Sequence, residues 1–531
     1  MTSLPYSAPA RRTRPRTVAT PIVAGALVAL LAGCSVTPRP LTSDENQTRA
    51  TEALKLVRDR IDPVTVAVSL DEAIARAVKY NLDHRLALMD QAIANRQIDV
   101  SRWDLLPKLV VDGGLTARSN ELASSSYSIL TGKQSLEPSI SSDRRSGTAD
   151  LQLSWSVLDF GISYYQARQN GDRALATAEK RRSAVNSIVQ QVRAAYWQAV
   201  AAEKIGDRIN PILADARQAL EDTRQVEKQR LKPMLDVLRD EKATIDIIRQ
   251  LENLQADLAL AKTQLAALMG LPPGTPYQLV LPDNPTALPE MKTAITELEH
   301  TALINRPELR EQAYNRRIAT DEVHKAFLKL FPNLSIQGGL DYDSNSFLVN
   351  QRWAEGGLRL SWGLVNLLAG NDFMGLAETQ RDQAEVRNLA LSMAVLTQVN
   401  VAWQQLGRAR TQYLEASELD NIEGRIYDQV LAQQENSAAG KVDRVRASAS
   451  RIVAELTRAR AYADMQNALA SLYVSVGIDP LPQAVPDYSL KTLTAAVSTV
   501  NRRIESGMFG AEASVSAETP TLDDPGKALT Q

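Results

Sequence analysis

A single cysteine among 531 residues excludes an internal disulfide and a thiolate metal cluster. Histidine is almost as scarce. His84, His300 and His324 stand too far apart in sequence to form a local metal motif, although folding can join distant residues. Glycine and proline together make about 9% of the chain, below the usual ~12%, which suits long helices better than a turn-rich fold. There is no surplus of positive charge either, with 60 Lys and Arg against 62 Asp and Glu. A nucleic-acid partner is therefore not expected, because nothing supplies a long basic surface. No nucleophile elbow, phosphate loop or HExxH metal motif occurs, so neither catalysis nor a cofactor is expected.

The charge that exists is unevenly placed. Residues 1–33 carry Arg11, Arg12, Arg14 and Arg16 and no acid, followed by an apolar run from Ile22 to Ala32. That run is shorter than the roughly 20 residues a membrane-spanning helix needs. Its basic-then-apolar layout is that of a secretory signal. The signal closes on Leu31-Ala32-Gly33-Cys34, which resembles a bacterial lipobox, with the chain's one cysteine at the acylated position. Removal of residues 1–33 leaves 498 residues with a net charge of -6. Ser35, where an aspartate is associated with inner-membrane retention, points to the outer membrane. An acyl chain on Cys34 would anchor the protein without a spanning helix.

What remains is duplicated. LLPKLVVDGGL at 105–115 aligns with LFPNLSIQGGL at 330–340, an offset of 225. LQLSW at 151–155 aligns with LRLSW at 358–362, an offset of 207. The second offset then persists for about 120 residues, pairing Tyr196 with Trp403, Asp236 with Asp443 and Gly270 with Gly477. A repeat this long is an architectural unit. The chain accordingly divides into a signal (1–33), an anchor and linker (34–67), a first repeat (68–274), a linker (275–293), a second repeat (294–480) and a tail (481–531).

Each repeat reads as helix, strand, strand, very long helix, helix. The first helix is expected over 69–104, with Ser69 as N-cap, Glu72 at the capping-box position, and an apolar face that includes Leu70, Ile74, Ala77, Leu86, Ile93 and Ile98. Its twin is expected over 294–329. Each ends before a proline, Pro107 or Pro332, where the chain turns extended. The returning strand alternates Leu151, Leu153, Trp155 and Val157 against Gln152, Ser154 and Ser156, and its twin alternates Leu358, Leu360, Trp362 and Leu364 against Arg359, Ser361 and Gly363. Period-two segments of about 10 residues suit a membrane barrel strand, and equally a half-buried soluble one. The connections, a Ser-rich stretch at 119–149 and the shorter 343–351, read as exposed loops.

The long helices are expected over 162–229 and 369–436, each of about 68 residues and roughly 100 Å. Pro211 predicts either a bend or a division of the first one, since an interior proline costs about 3 kcal/mol. The helices that follow, over 234–269 and 441–476, are about half that length. The first carries Leu251, Leu254, Leu258, Ala261, Leu265 and Leu268 at heptad spacing, a coiled-coil seam.

With these features in place, the chain resembles the TolC-like outer-membrane efflux proteins. The resemblance rests on LAGC at 31–34, the duplicated LxPxL at 105–109 and 330–334, LQLSW with LRLSW, and the helix ends LAALMGLPPG at 265–274 and LYVSVGIDP at 472–480. It covers about residues 68–480. It implies a mixed α and β fold: four strands per subunit, a twelve-stranded outer-membrane β-barrel shared by a homotrimer, and a long α-helical periplasmic tunnel. It implies a passive exit duct that docks to a periplasmic adaptor protein and an inner-membrane pump or transporter, set among outer-membrane lipids. The physics agrees, because four strands cannot close a barrel and open edges are not tolerated in hydrocarbon.

The resemblance also marks an entrance. The family carries inward acids at the start of the second copy's last helix, where this chain has Val442-Asp443-Arg444-Val445-Arg446. Asp443 matches the first acidic position, and Arg446 occupies one that can be acidic. Asp443 is thus either an entrance acid or a first-turn helix acid, and its repeat partner Asp236 reads more simply as the latter. Trp155, Trp353 and Trp362 are candidate barrel aromatics, whereas Tyr196, Trp403 and His324 read as structural. A different class of protein remains open, a non-conducting coiled-coil scaffold lipoprotein that would need neither barrel nor pore.

Overall fold

The computed structural model describes residues 38–505 except 60, 135–136, 231–232, 273, 282–292, 436–440 and 482–486. Cys34, the signal segment and the last 26 residues therefore lie outside the described part. The chain splits into two units at Arg60. Among its described residues the first holds one helix, α1 (Ser43–Asp59), which carries acids in its first turn.

The second unit contains the duplication. Its first half runs α2 (Leu70–Tyr80), α3 (Leu82–Trp103), β1 (Lys108–Ala117), β2 (Ala123–Ser124), β3 (Ser139–Ile140), β4 (Arg145–Ser156), α4 (Val157–Lys228) and α5 (Met234–Leu268). Its second half runs α6 (Ile295–Asn305), α7 (Pro307–Leu328), β5 (Asn333–Asp343), β6 (Arg352–Ser361), α8 (Leu364–Leu368), α9 (Gly370–Glu435) and α10 (Lys441–Val476), followed by α11 (Leu490–Glu505). The offset of 225 carries α2 and α3 onto α6 and α7 at both ends. The offset of 207 carries α4 onto the stretch from α8 to the end of α9. The repeat read from sequence is the repeat of the fold.

Five expectations need correction. The helix expected over 69–104 is two, because the Asn81 side chain caps a new start by accepting from the backbone N–H groups of Asp83 and His84 at 2.8 and 3.2 Å. Its twin breaks at Arg306, where Pro307 opens α7 at a position that needs no amide donor. Leu86 and Ile93, expected on a buried face, are 62% and 64% exposed. The Ser-rich loop is partly built: β2 pairs with β3, and β4 already begins at Arg145. The alternating strands also stop short, since Val157 starts α4 and Trp362 lies beyond β6. Ser69 does cap α2 as expected, accepting from Glu72 N–H at 3.2 Å.

α4 is continuous over 72 residues, roughly 108 Å, and Pro211 sits inside it. The ring is exposed, while Ile209 and Leu213 on either side are buried against α5 and α10. Packing holds the helix where the proline removes a hydrogen bond. α9 is the second long helix, with 66 residues.

The core is a chain of clusters along these helices. One joins α2, α4, α5 and α11, another joins α6, α7, α9 and α10, and a third joins α4, α5 and α10. Five of the six predicted seam residues of α5, Leu251 to Leu265, are buried there, and Leu268 packs on the edge. α11, beyond the duplication, is fastened to the first cluster by Leu493 and Val497. It is also held by Asn501, which accepts from buried Arg193 at 2.6 Å and donates to Asp71 at 2.5 Å.

Candidate functional site

The four long strands form one antiparallel sheet in the order β1-β4-β5-β6. Its register sorts the side chains. Leu109 and Val111 pair with Leu153 and Leu151, Leu151 with Leu340, Trp155 with Ile336, and Ile336 with Leu358. Because partners share a face, one side of the sheet is apolar over all four strands. Asp112 pairs with Asp150, Asp150 with Asp341, and Asp341 with Trp353, so the other side carries acids, with Gln152, Ser154, Gln337 and Arg359 nearby. The apolar face is left open to its surroundings: Leu115 is 94% exposed and Leu358 74%. Among the described residues, β1 and β6 each keep one edge without a partner strand.

The three tryptophans separate on this frame. Trp155 lies on the apolar face and meets Phe160 edge-on at 5.8 Å. Trp353, near the loop end of β6, lies on the polar face. Trp362, past the strand, donates its indole N–H to the Leu330 carbonyl at 3.0 Å. Tyr196 is a core residue as expected, donating to the Val280 carbonyl at 3.1 Å. His324 stacks on Tyr165 at 5.1 Å. Among the described residues no group of His, Cys, Asp and Glu could hold a metal ion, and no helix is long and apolar enough to cross a membrane.

At the far end of the long helices, Asp443 and Arg446 pair with each other at 3.4 Å, both half exposed. Asp236 makes the same one-turn pair with Arg239 at 3.6 Å. The neighbours of Asp443 reach farther. Lys441 binds Asp222 at 2.8 Å and Arg444 binds Asp215 at 3.3 Å, tying the first turns of α10 to α4 in the other half. Lys441, which donates to the carboxylate, holds Asp222 below the ordinary carboxylate range, with Gln218 adding a second donor. These ties escaped the sequence reading, since 219 residues separate Lys441 from Asp222.

No family profile matches the chain. Among curated proteins it is similar to Nodulation protein T of Rhizobium leguminosarum bv. trifolii, 22% identical over 429 residues that cover 77% of this chain and 85% of the relative. Among solved structures it is similar to the outer-membrane channel OprN, with a TM-score of 0.57 and 19% identity over 77% of this chain and 89% of that one. It is also similar to the open state of the Neisseria gonorrhoeae MtrE outer membrane channel, with a TM-score of 0.58 and 18% identity over 77% and 88% of the two chains. By its duplicated order of elements, its sheet and these likenesses, the chain has the fold of the TolC-like outer-membrane channels.

Proposed function

We propose that this chain is one subunit of an outer-membrane exit duct of a tripartite efflux or secretion system. The observation that carries this reading is the sheet. It has an apolar face for lipid, a polar face for a lumen, and two free edges that only other copies can close. Three copies supply twelve strands, an even number within the range of membrane barrels. Below the sheet, helices of roughly 100 Å line a periplasmic passage. The duct is passive, and a periplasmic adaptor and an inner-membrane pump supply the energy. Single-channel recording of the purified protein in planar bilayers tests this. Discrete conductance steps are expected, and a silent bilayer with correctly folded protein would leave the scaffold reading in force.

The entrance lies where α10 begins. Asp443 and Arg446 of three copies form a mixed ring there, and Lys441–Asp222 and Arg444–Asp215 hold the two halves of each copy together. Asp222→Asn removes the charge that Lys441 grips, and mean conductance is expected to rise. Acid acts in the same direction. A carboxyl with a depressed pKa keeps its pair at neutral pH and loses it as pH falls through that lowered value. The unmodified channel therefore opens further below the ordinary carboxylate range, while Asp222→Asn starts higher and responds less. An unchanged conductance in the variant would remove these ties from the gate.

Cys34 is the lipid attachment point in this reading. Cys34→Ser is expected to abolish labelling by a radioactive fatty acid while the strands still insert. Persistent labelling of the variant would refute the anchor.

A further inference from the structure

The apolar face of the sheet is charged at one end only. By the strand register, that face carries the odd-numbered residues of β1 and β4 and the even-numbered residues of β5 and β6. From Leu109 to Leu360 these are uncharged, with two exceptions. Arg145 opens β4 opposite Ala117, and Arg352 opens β6 opposite Tyr342. Both therefore stand on the apolar side, at the end of the sheet where the loops leave it. The acids of the strands keep to the opposite face, where Asp112, Asp150 and Asp341 lie in one row.

The duplication repeats this arrangement. The offset of 207 carries Arg145 onto Arg352 and Trp155 onto Trp362, so that in each half a tryptophan follows the arginine ten residues later. Ten residues of strand extend about 33 Å, and a barrel strand tilted by about 40° rises about 25 Å over that length. That is the height of the apolar band of an outer-membrane barrel. The tryptophans then mark the inner boundary of the hydrocarbon and the arginines the outer one.

The protein itself does not engage these two charges. Among the described residues neither arginine is paired with a carboxylate, and both side chains are exposed. Arg352 lies over the Tyr342 ring at 5.8 Å, a contact that steadies the side chain while its N–H donors stay open to a ligand. Arg144 shows the alternative. Its guanidinium donates to the Arg118 and Ser119 carbonyls at 3.0 and 2.9 Å and fastens the base of the loop.

We infer that Arg145 and Arg352 bind the phosphate groups of outer-leaflet lipid, so that the barrel takes up phosphorylated glycolipid in preference to uncharged or zwitterionic lipid. The inference rests on the duct reading, which puts the apolar face in lipid and the loops outside. A guanidinium presents a planar fork of donors to a phosphate, a charge-assisted pairing that a lysine does not reproduce. Position decides the source of that phosphate. A lipid whose acyl chains lie against Leu115, Leu151 or Leu358 brings its headgroup to the level of the arginines. A dissolved anion gains nothing from those leucines. Arginines kept only for solubility would serve as well on the loops or the lumen face, and these two stand on the one face where lipid phosphate is the nearest anion. Three copies repeat the pair around the whole rim.

Native mass spectrometry of the detergent-solubilised protein tests this with diphosphoryl lipid A, lipid A stripped of both phosphates, and phosphatidylethanolamine. The unmodified protein is expected to retain diphosphoryl lipid A roughly tenfold better than the other two. Arg145→Gln with Arg352→Gln should lose that preference, and each single variant should fall between. Inorganic phosphate should not displace the bound lipid, and displacement would make this a free-anion site and overturn the lipid assignment. Equal retention of the three lipids, or an undiminished preference in the double variant, overturns the inference while leaving the duct intact. Size and single-channel conductance are measured on the same preparations. A monomer, or a trimer without conductance, overturns the duct reading instead.

Discussion

Gly477→Ala is expected to cost about 2–5 kcal/mol of stability, a large loss for the replacement of one backbone hydrogen by a methyl group. Gly477 ends α10 with φ +81°, where an alanine pays about 1–2 kcal/mol for the left-handed conformation. A Cβ there would also stand 2.7 Å from the Arg306 amide nitrogen and 2.7 Å from the Asn305 carbonyl carbon. Those atoms are backbone at the break between α6 and α7 and cannot swing aside, so overpacking adds about 1–3 kcal/mol. The first half shows the same device, since Gly270 has φ +77° and its Cβ would lie 2.8 Å from Cβ of Tyr80, one residue before the Asn81 break. Gly274 is the control. Its φ is +82° but nothing lies within 4 Å of its Cβ, so Gly274→Ala should show the conformational cost alone. Denaturant melts of the three variants in detergent check the argument. Equal losses at Gly477 and Gly274 would mean that the close approach carries no energy.

Those glycines show what could be read in advance. LAALMG and LYVSVG were visible as matching helix ends at an offset of 207, and the structure places both where expected. The breaks they pack against were not. Arg306-Pro307 holds a recognisable helix start, a proline at the first helical position. In the first copy the signal is only Asn81 ahead of Asp83, inside a continuous apolar pattern, and it was submerged. Helix length, seam and duplication are local or periodic properties and survive in a one-dimensional reading. The strand faces were half legible: Leu151, Leu153 and Trp155 share a face by alternation. Only the register shows that Asp112, Asp150 and Asp341 fall in one row, with Trp353 beside them.

The ion pairs of Lys441 and Arg444 with α4 were out of reach for a different reason. Nothing local to Lys441 indicates Asp222, because the contact depends on how α10 lies against α4. Leu86 and Ile93 misled for a third reason. Their spacing announced a buried face, and burial inside the same chain was the natural reading. Periodicity specifies that one face is apolar and does not say what covers it. α11 falls within the segment expected as a tail, where Leu490, Leu493 and Val497 have helical spacing and the last two are fully buried.

Arg182→Met should destabilise the protein by about 3–5 kcal/mol at neutral pH, the cost of leaving one partner of a buried ion pair behind. Arg182 lies in α4 of the first half and Asp479 just after α10 of the second. Its Nε donates to both carboxylate oxygens at 2.6 and 2.7 Å, its Nη2 donates to the Gly477 carbonyl at 3.0 Å, and its Nη1 pairs with Glu179 at 3.1 Å. Both side chains of the ion pair are less than one-fifth exposed. Methionine keeps the packing of the stem and removes every donor. Glu179 retains Arg310 at 2.8 Å, so Asp479 suffers most. Burial already pushes its carboxyl up against the pull of Arg182, and loss of the guanidinium pushes it further. A carboxyl whose folded pKa is raised binds its proton more tightly in the folded state, so stability is regained as pH falls through that raised value and lost as pH rises through it. The deficit of Arg182→Met is therefore expected to shrink on acidification, and Arg182→Met with Asp479→Asn should recover part of it at neutral pH. Melting curves of both variants between pH 5 and 8 decide the matter. A deficit that ignores pH and is not relieved by Asp479→Asn would place the energy in packing and the backbone contact at Gly477, with the charge pair contributing little.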